Sequence, residues 1–406
     1  MLKNTLGAYN SRILFWIHFF GTMSFIQPVV TLFYFERGIT ETDLVIIMMC
    51  WSGAVLLGEV PTGIFADKFG AKRSFLVGSF VQLVSVGLLI FATEPWMFFV
   101  ASFLNGFSAT FFSGADEALL YESLKLSKDE DKMDQVMGNI QSATFLTMIG
   151  TVLLGSFLAK DLEDSQFVLL LVLGVICQFV QLIFVFFVKE PAKMESFREN
   201  PFEHIGEGIR VIKKAPQLLW MFLNVTVVFI PAGAIFDNFD QLVLTSAGVP
   251  VMLIGVLYSI AALIGFIASR SIGWMTKKFS AVLLMHGTGG LAVMSLIVIS
   301  QYASTMWVVL AGFFILRFVR AIRYPIYSKL SNEYIPSHVR ATTISLLSVL
   351  DSVFDLIIMG TVAGIAGFGL PNILLMCGVI ALVGTFLPIR KATHLQIQDA
   401  TVNNEV

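Results

Sequence analysis

Asp351 and Asp355 stand four residues apart in an otherwise uncharged apolar run, so they share one face if that run is helical. Acids in apolar surroundings are disfavoured in their charged form, the condition for taking up and releasing protons. Glu59, in Gly58-Glu59-Val60-Pro61-Thr62-Gly63, is a third candidate for such coupling, and Arg317 and Arg320 interrupt another apolar run. His18, Gln27, Asn105 and Asn224 are polar groups in further runs of the same kind. Ionisable residues inside membrane spans cost roughly 2.5–3.5 kcal/mol each, so each is a functional candidate by default.

The elements that position these residues follow from hydropathy. In 406 residues the hydrophobic fraction is 56%, the charged fraction 13% and the mean hydropathy +0.83, so lipid is the solvent. The net charge of −2 gives no reason to expect nucleic acid or an acidic partner. Cys50, Cys177 and Cys377 each lie in an apolar run, without the spacing of a disulfide framework or a metal site, and read as packing residues. About 20 apolar residues cross a hydrocarbon core, which predicts spans at 13–35, 44–66, 74–92, 96–118, 138–159 and 167–188. Six more follow at 217–237, 251–269, 281–300, 303–322, 341–363 and 371–389. The first run lacks a small-residue cleavage site and is expected to be a retained span.

An even span count places both termini on one side. With that side cytoplasmic, all of the 26 basic residues except Arg37, Lys160, Arg317 and Arg320 fall inside, as basic residues in short loops do. The expected organisation is a six-helix bundle over 1–190, a cytoplasmic linker over 191–216, a second six-helix bundle over 217–390 and a cytoplasmic tail over 391–406. Within the polar segment 189–216, Phe202, Ile205, Ile209 and Ile212 have the spacing of a surface amphipathic helix. A solvated linker is the other reading.

The halves carry traces of a repeat. Gly63, Lys68 and Phe69 recur as Gly273, Lys278 and Phe279 after an offset of about 210 residues, and Phe103-Leu104-Asn105 answers to Ile315-Leu316-Arg317 at a similar offset.

Between spans 2 and 3 the sequence reads Gly63-x-x-Ala66-Asp67-Lys68-x-Gly70-x-Lys72-Arg73. This resembles the major facilitator superfamily signature, G-x-L-A-D-R-x-G-R-K, with Phe65 in place of leucine and Ala71 in place of one basic residue. Two other stretches, Ser113 to Leu124 and Arg323-Tyr324-Pro325 with Asn332, Ile335-Pro336 and Val339 to Thr342, resemble its bacterial drug and metabolite efflux members. The resemblance implies an all-α membrane protein with twelve transmembrane helices in two pseudo-symmetric six-helix bundles. It implies a monomer in the bacterial cytoplasmic membrane that moves a small-molecule substrate by alternating access, with protons as the coupling ion. No cofactor or metal is expected beyond the proton gradient.

By the same resemblance Asp67 would cap span 11 near Ala341, and Lys72 and Arg73 would pair with Asp116, Glu117 or Glu122, forming a latch between halves. A carboxylate suits a helix start because of the N–H groups left unbonded there. An ordinary positively charged turn is the alternative. The span 5 motif of antiporters is reduced to Gly150 and Gly155, and Asn105 stands about where many members carry arginine, so the resemblance supports proton antiport less than it supports membership.

At about 1.5 Å per residue Asp351 lies about 15 Å into span 11, near the midplane, whereas Arg317 lies about 8 Å from the inner end of span 10. Asp351 reads either as the coupling carboxylate or as a group facing a wet cavity. Arg317 reads as a cavity group or as a side chain that snorkels to the interface, and Glu59 as a proton site or a structural partner beside the motif turn. Spans 1, 4, 7 and 10 surround the cavity in the family, which makes His18, Gln27, Asn105, Asn224 and Arg317 candidate lining residues. Asn and Gln in spans also bond between helices.

Proton-driven efflux of small amphipathic compounds is the leading expectation. Uptake of a polar solute by symport or uniport is the alternative. No H-E-x-x-H, G-x-S-x-G or G-x-x-x-x-G-K-[ST] occurs, so neither an enzyme nor an ATP-driven pump is expected.

Overall fold

The computed structural model describes residues 5–191, 213, 216–332, 335 and 340–389. The centre of the predicted linker and the predicted tail lie outside them. Among the described residues the regular structure is helical throughout, and nine helices are long and apolar enough to cross a membrane.

The chain divides into two compact units. One comprises Met1–Phe197 with Pro250–Ser259, the other Arg198–Val249 with Ile260–Val406. In the first, α1 (Leu6–Gly21) and α2 (Val30–Glu36) are joined by a 3-10 turn at Gln27–Val29, so predicted span 1 is a broken helix. It is followed by α3 (Glu41–Phe69), α4 (Ala71–Phe91), α5 (Pro95–Thr110), α6 (Ala115–Leu126), α7 (Met133–Leu158) and α8 (Asp164–Phe186). In the second unit come α9 (Pro216–Phe229), a π-helical turn (Ile230–Ile235), α10 (Phe236–Ser246), α11 (Val251–Lys278), α12 (Ala281–Gln301), α13 (Met306–Asn332), α14 (Arg340–Ala366) and α15 (Leu370–Phe386). The first turns of α11 group with the first unit.

Helix limits follow local chemistry. Thr40 and Asp43 form a reciprocal capping box at the start of α3, and Ser280 accepts the Leu283 N–H at the start of α12. Gly114, at φ 72°, breaks predicted span 4 into α5 and α6 and so makes Asp116 and Glu117 first-turn residues of a new helix. Wide-turn π geometry falls where Pro231 lacks an N–H for the ladder. Helix α13 continues ten residues past the predicted limit at 322, because Arg323 and the residues after it remain helical.

Each unit has its own core. In the first, Leu14 and Ile17 of α1 pack with Phe75 of α4, Leu119, Leu120 and Leu124 of α6, Ile140 of α7 and Val185 of α8. In the second, Leu218, Met221 and Phe222 of α9 pack with Met285, Ile322, Ile326 and Leu347. Large apolar side chains such as Phe80, Phe91, Leu146, Phe266 and Phe386 are exposed on the outside. In water such a surface would drive association; in a bilayer it meets acyl chains.

Candidate functional site

Helices α1, α6 and α7 share the first core, and the space left where they meet is a cavity of about 300 Å³ lined by His18, Asp116, Glu117, Gln141, Thr144 and Phe145, with Leu14, Met137 and Ile140. His18 Nε2 lies 3.2 Å from Asp116 Oδ2, and both side chains are partly exposed to the cavity. The other Asp116 oxygen accepts the Glu117 N–H at 2.8 Å. A carboxylate at this position also meets the positive end of α6. His18 was expected on a cavity and Asp116 and Glu117 in a latch; the structure brings all three together.

The remaining latch residues lie on α3, on α4 and in the turn between them. Gly63, Asp67 and Lys68 occupy the last turns of α3, with Asp67 exposed and Lys68 over the Phe69 ring. Gly70 makes the turn at φ 90°. Lys72 Nζ donates to the Phe186 carbonyl at 2.7 Å, and its N–H to Glu190 at 2.9 Å. Lys72 thus ties α4 to the end of α8 instead of to Asp116, Glu117 or Glu122, because the α4 start faces the chain leaving α8. Arg73 is exposed.

In the second unit Arg317 of α13 contacts both Asp237 and Asp240 of α10, and Arg320 pairs with Asp237. Asp240 is fully buried. Helix α13 extends to Asn332, which puts Arg317 about 22 Å from that end at about 1.5 Å per residue. Its charge is met by carboxylates within the protein. Asp237 and Asp240 escaped the sequence reading, which ended span 7 at 237; their spacing of three on one helix face was the available signal.

Asp351 lines a second cavity, of about 200 Å³, with Phe222, Phe229, Tyr324, Tyr327 and Thr226 among its walls. Thr226 Oγ1 donates to Asp351 at 2.6 Å. Asp355 is half-buried one turn on, and Glu59 is half-buried in α3. Asn105 accepts the Trp51 indole N–H at 3.2 Å, and Gln27 is exposed in the turn between α1 and α2. Asn224, expected on a cavity, is wholly buried: it accepts from Arg323 and donates to the Leu387 carbonyl. No group of metal-ligating side chains occurs among the described residues.

Residues 13–359 match the family model described as Major Facilitator Superfamily. YxaM of Bacillus subtilis (strain 168), named an MFS-type transporter, is 20% identical over 85% of this chain and 87% of its own length. The multidrug resistance protein MdtH of Salmonella arizonae is 25% identical over 58% of this chain and 54% of its own. The chain therefore spans about half of that relative. Among solved structures, the nucleoside transporter NupG aligns with a TM-score of 0.73 at 12% identity, covering 95% of this chain and 98% of that one. A bacterial homologue of the human lysosomal transporter Spinster, in an inward-facing conformation, aligns with a TM-score of 0.72 at 12% identity over 98% of both chains. At these identities the likeness shows the fold.

Proposed function

Since the chain belongs to the major facilitator superfamily, and so is a multi-pass membrane transporter of small molecules rather than an enzyme, we propose that it exports amphipathic compounds by alternating access in exchange for protons. It would act as a monomer in the bacterial cytoplasmic membrane with both termini inside, the halves being 1–190 and 217–390. Asp67 capping span 11 near Ala341 would hold the cytoplasmic side closed.

The observation that carries proton coupling is Asp351, a carboxylate inside a span that borders an aromatic-walled cavity and accepts a hydrogen bond from Thr226. There a carboxylate and a cavity of about 200 Å³ meet. Similarity to MdtH, over part of the chain, supports efflux. In proteoliposomes, an imposed pH gradient is expected to drive transport of toxic amphipathic compounds to which a disruption strain is sensitive, and Asp351→Asn to abolish the drive. Transport that ignores the gradient, with Asp351→Asn unchanged, would sink this reading.

One observation favours a second reading, uptake of a polar solute. Arg317 and Arg320 of α13 and Asp237 and Asp240 of α10 gather charges of both signs, groups able to recognise a polar substrate. The direction of the pH change when substrate is added to vesicles separates the two.

A further inference from the structure

We propose that Lys72 and Glu190 form a reciprocal cap, a contact that opens and closes as one unit, through which the signature turn between α3 and α4 controls how firmly the chain leaving α8 is held. Both residues belong to the first unit, and neither the substrate nor the coupling ion enters.

Each of the two helix ends lacks what the other supplies. Helix α4 starts after Gly70 with no side-chain cap and no acid in its first turn, where Lys72 and Arg73 place positive charge instead. Helix α8 ends with no basic residue in its last turn. Unbonded N–H groups therefore remain at the first end and unbonded carbonyls at the second, and positive charge at a helix start runs against the macrodipole. Lys72 carries its Nζ away from the start of α4 and donates to the Phe186 carbonyl at 2.7 Å, which puts a cation at the C-terminus of α8. Glu190 accepts the Lys72 N–H at 2.9 Å, which puts an anion at the N-terminus of α4. One pair of side chains thus corrects both ends. Gly70 leaves the room for it, since a Cβ there would run into the Glu190 carboxylate.

A second anchor lies one residue earlier and is buried. Asn10 of α1 brackets the Lys189 backbone, donating from Nδ2 to its carbonyl at 2.7 Å and accepting its N–H at 3.2 Å. The same Nδ2 donates to Ser123 of α6 at 2.8 Å. Tyr9 donates to the Phe187 carbonyl at 3.1 Å, and Lys189 Nζ lies 4.2 Å from the centre of the Tyr9 ring. Asn10 is wholly buried, whereas Lys72 is half-buried and Glu190 exposed. Water and salt reach the cap and not the anchor.

The second unit repeats the anchor. Asn224 stands in α9 as Asn10 stands in α1, is likewise wholly buried, and donates to the Leu387 carbonyl just past α15 at 3.0 Å. The start of α12, which answers to α4, is capped locally, by Ser280 accepting the Leu283 N–H at 3.1 Å. An anchor common to both halves is part of the scaffold. A cap supplied in trans belongs to the half whose sixth helix runs on into the linker. With the cap closed, the held chain extends to Glu190 and the signature turn is bound to α8. With it open, the held chain ends at Lys189, and α1, α6 and the exit from α8 stay together through Asn10.

The test is hydrogen–deuterium exchange of the full chain in lipid nanodiscs, read at the amides of 71–74 and 187–190 and corrected for intrinsic rates. Lys72→Met and Glu190→Gln are each expected to speed exchange in both segments by about two- to fivefold, the factor that a charge at an exposed helix end supplies. The double variant should add little to either, as two members of one contact do. The Lys189 amide should stay protected in all three variants and lose its protection in Asn10→Ala, which should leave 71–74 as in the wild type. Raising the ionic strength from about 0.1 M to about 1 M shortens the screening length from about 10 Å to about 3 Å and should bring the wild type toward the variants. A substitution that loosens only the helix end its side chain touches, losses that simply add, or a Lys189 amide released together with the cap would each overturn the proposal. Should Asn10→Ala fail to fold, judged by its melting curve, the Lys189 amide in Lys72→Met decides whether the anchor holds without the cap.

Discussion

The guanidinium of Arg323 grips Asn224 twice, donating to its backbone oxygen at 2.9 Å and to its side-chain oxygen at 2.7 Å. Both residues are buried. Arg323 also donates to the Met285 carbonyl and to Thr288, while Asn224 donates to the Leu387 carbonyl. One cation thus joins α9, α12 and α13 and, through Asn224, the end of α15, with neutral oxygens as its hydrogen-bond acceptors.

Asn224→Ala removes an acceptor from a buried cation and leaves the Leu387 carbonyl without its donor. Hydrogen bonds to charged groups contribute about 1.5–3 kcal/mol, so the variant is expected to lose about 2–3 kcal/mol and melt well below wild type in detergent. Asn224→Asp, which returns an acceptor and adds a countercharge, should lose less. A melting curve for Asn224→Ala matching wild type would show that Arg323 finds other acceptors.

Arg317 and Asp240 make a sharper case, since Asp240 is wholly buried. Arg317→Leu leaves Asp237 and Asp240 near one another with one countercharge gone. Breaking a buried pair from one side costs about 3–5 kcal/mol, whereas replacing both partners with apolar residues is often close to neutral. The double variant Arg317→Leu, Asp240→Leu should therefore recover most of the stability that Arg317→Leu loses. A thermal-unfolding double-mutant cycle reads this directly, and strictly additive losses would mean the two charges do not depend on each other.

How far these arrangements could be read from sequence depends on distance along the chain. Spans were legible because hydropathy is a local sum, and every predicted span coincides with helix in the structure. The breaks were not. Gly114 interrupts span 4 by adopting a left-handed conformation that an apolar run does not announce, and with it come the first-turn positions of Asp116 and Glu117. The end of α13 was placed too early because Arg320 and Arg323 lower hydropathy and made the helix look finished, when the fold supplies acids and carbonyls to hold those cations on a continuing helix. His18 was visible as a polar group in a span. Its partner Asp116 lies nearly a hundred residues on, and a single sequence carries no sign of that pairing.

Gly70 turns the chain between α3 and α4 at φ 90° and ψ 157°, where residues with a Cβ are strained. A Cβ would also run into the carboxylate of Glu190, which accepts the Lys72 N–H. Gly70→Ala is expected to cost about 1–3 kcal/mol from the backbone alone, read as a fall in melting temperature. Adding Glu190→Ala clears the collision and leaves the backbone strained, so it should rescue only part of the loss. Complete rescue would mean that the collision, and not the turn, requires glycine.

Gly106 sits where α5 crosses α3, and a Cβ there would lie 2.5 Å from the Trp51 carbonyl and 3.2 Å from the Ala54 methyl. The first neighbour is backbone and cannot turn aside, so Gly106→Ala must move the helices apart. Two bonds hold the same crossing: Ser102 donates to the Ile47 carbonyl at 2.7 Å, and Trp51 donates to Asn105 at 3.2 Å. Overpacking a tight contact costs about 1–3 kcal/mol, while losing the single Trp51 to Asn105 bond costs about 0.5–1.5 kcal/mol. Gly106→Ala should therefore destabilise more than Asn105→Ala. Combining them should add little, because separated helices have already lost the bond. Were Asn105→Ala the worse of the two in thermal unfolding, the crossing would be held by its polar contacts, with Asn105 chief among them.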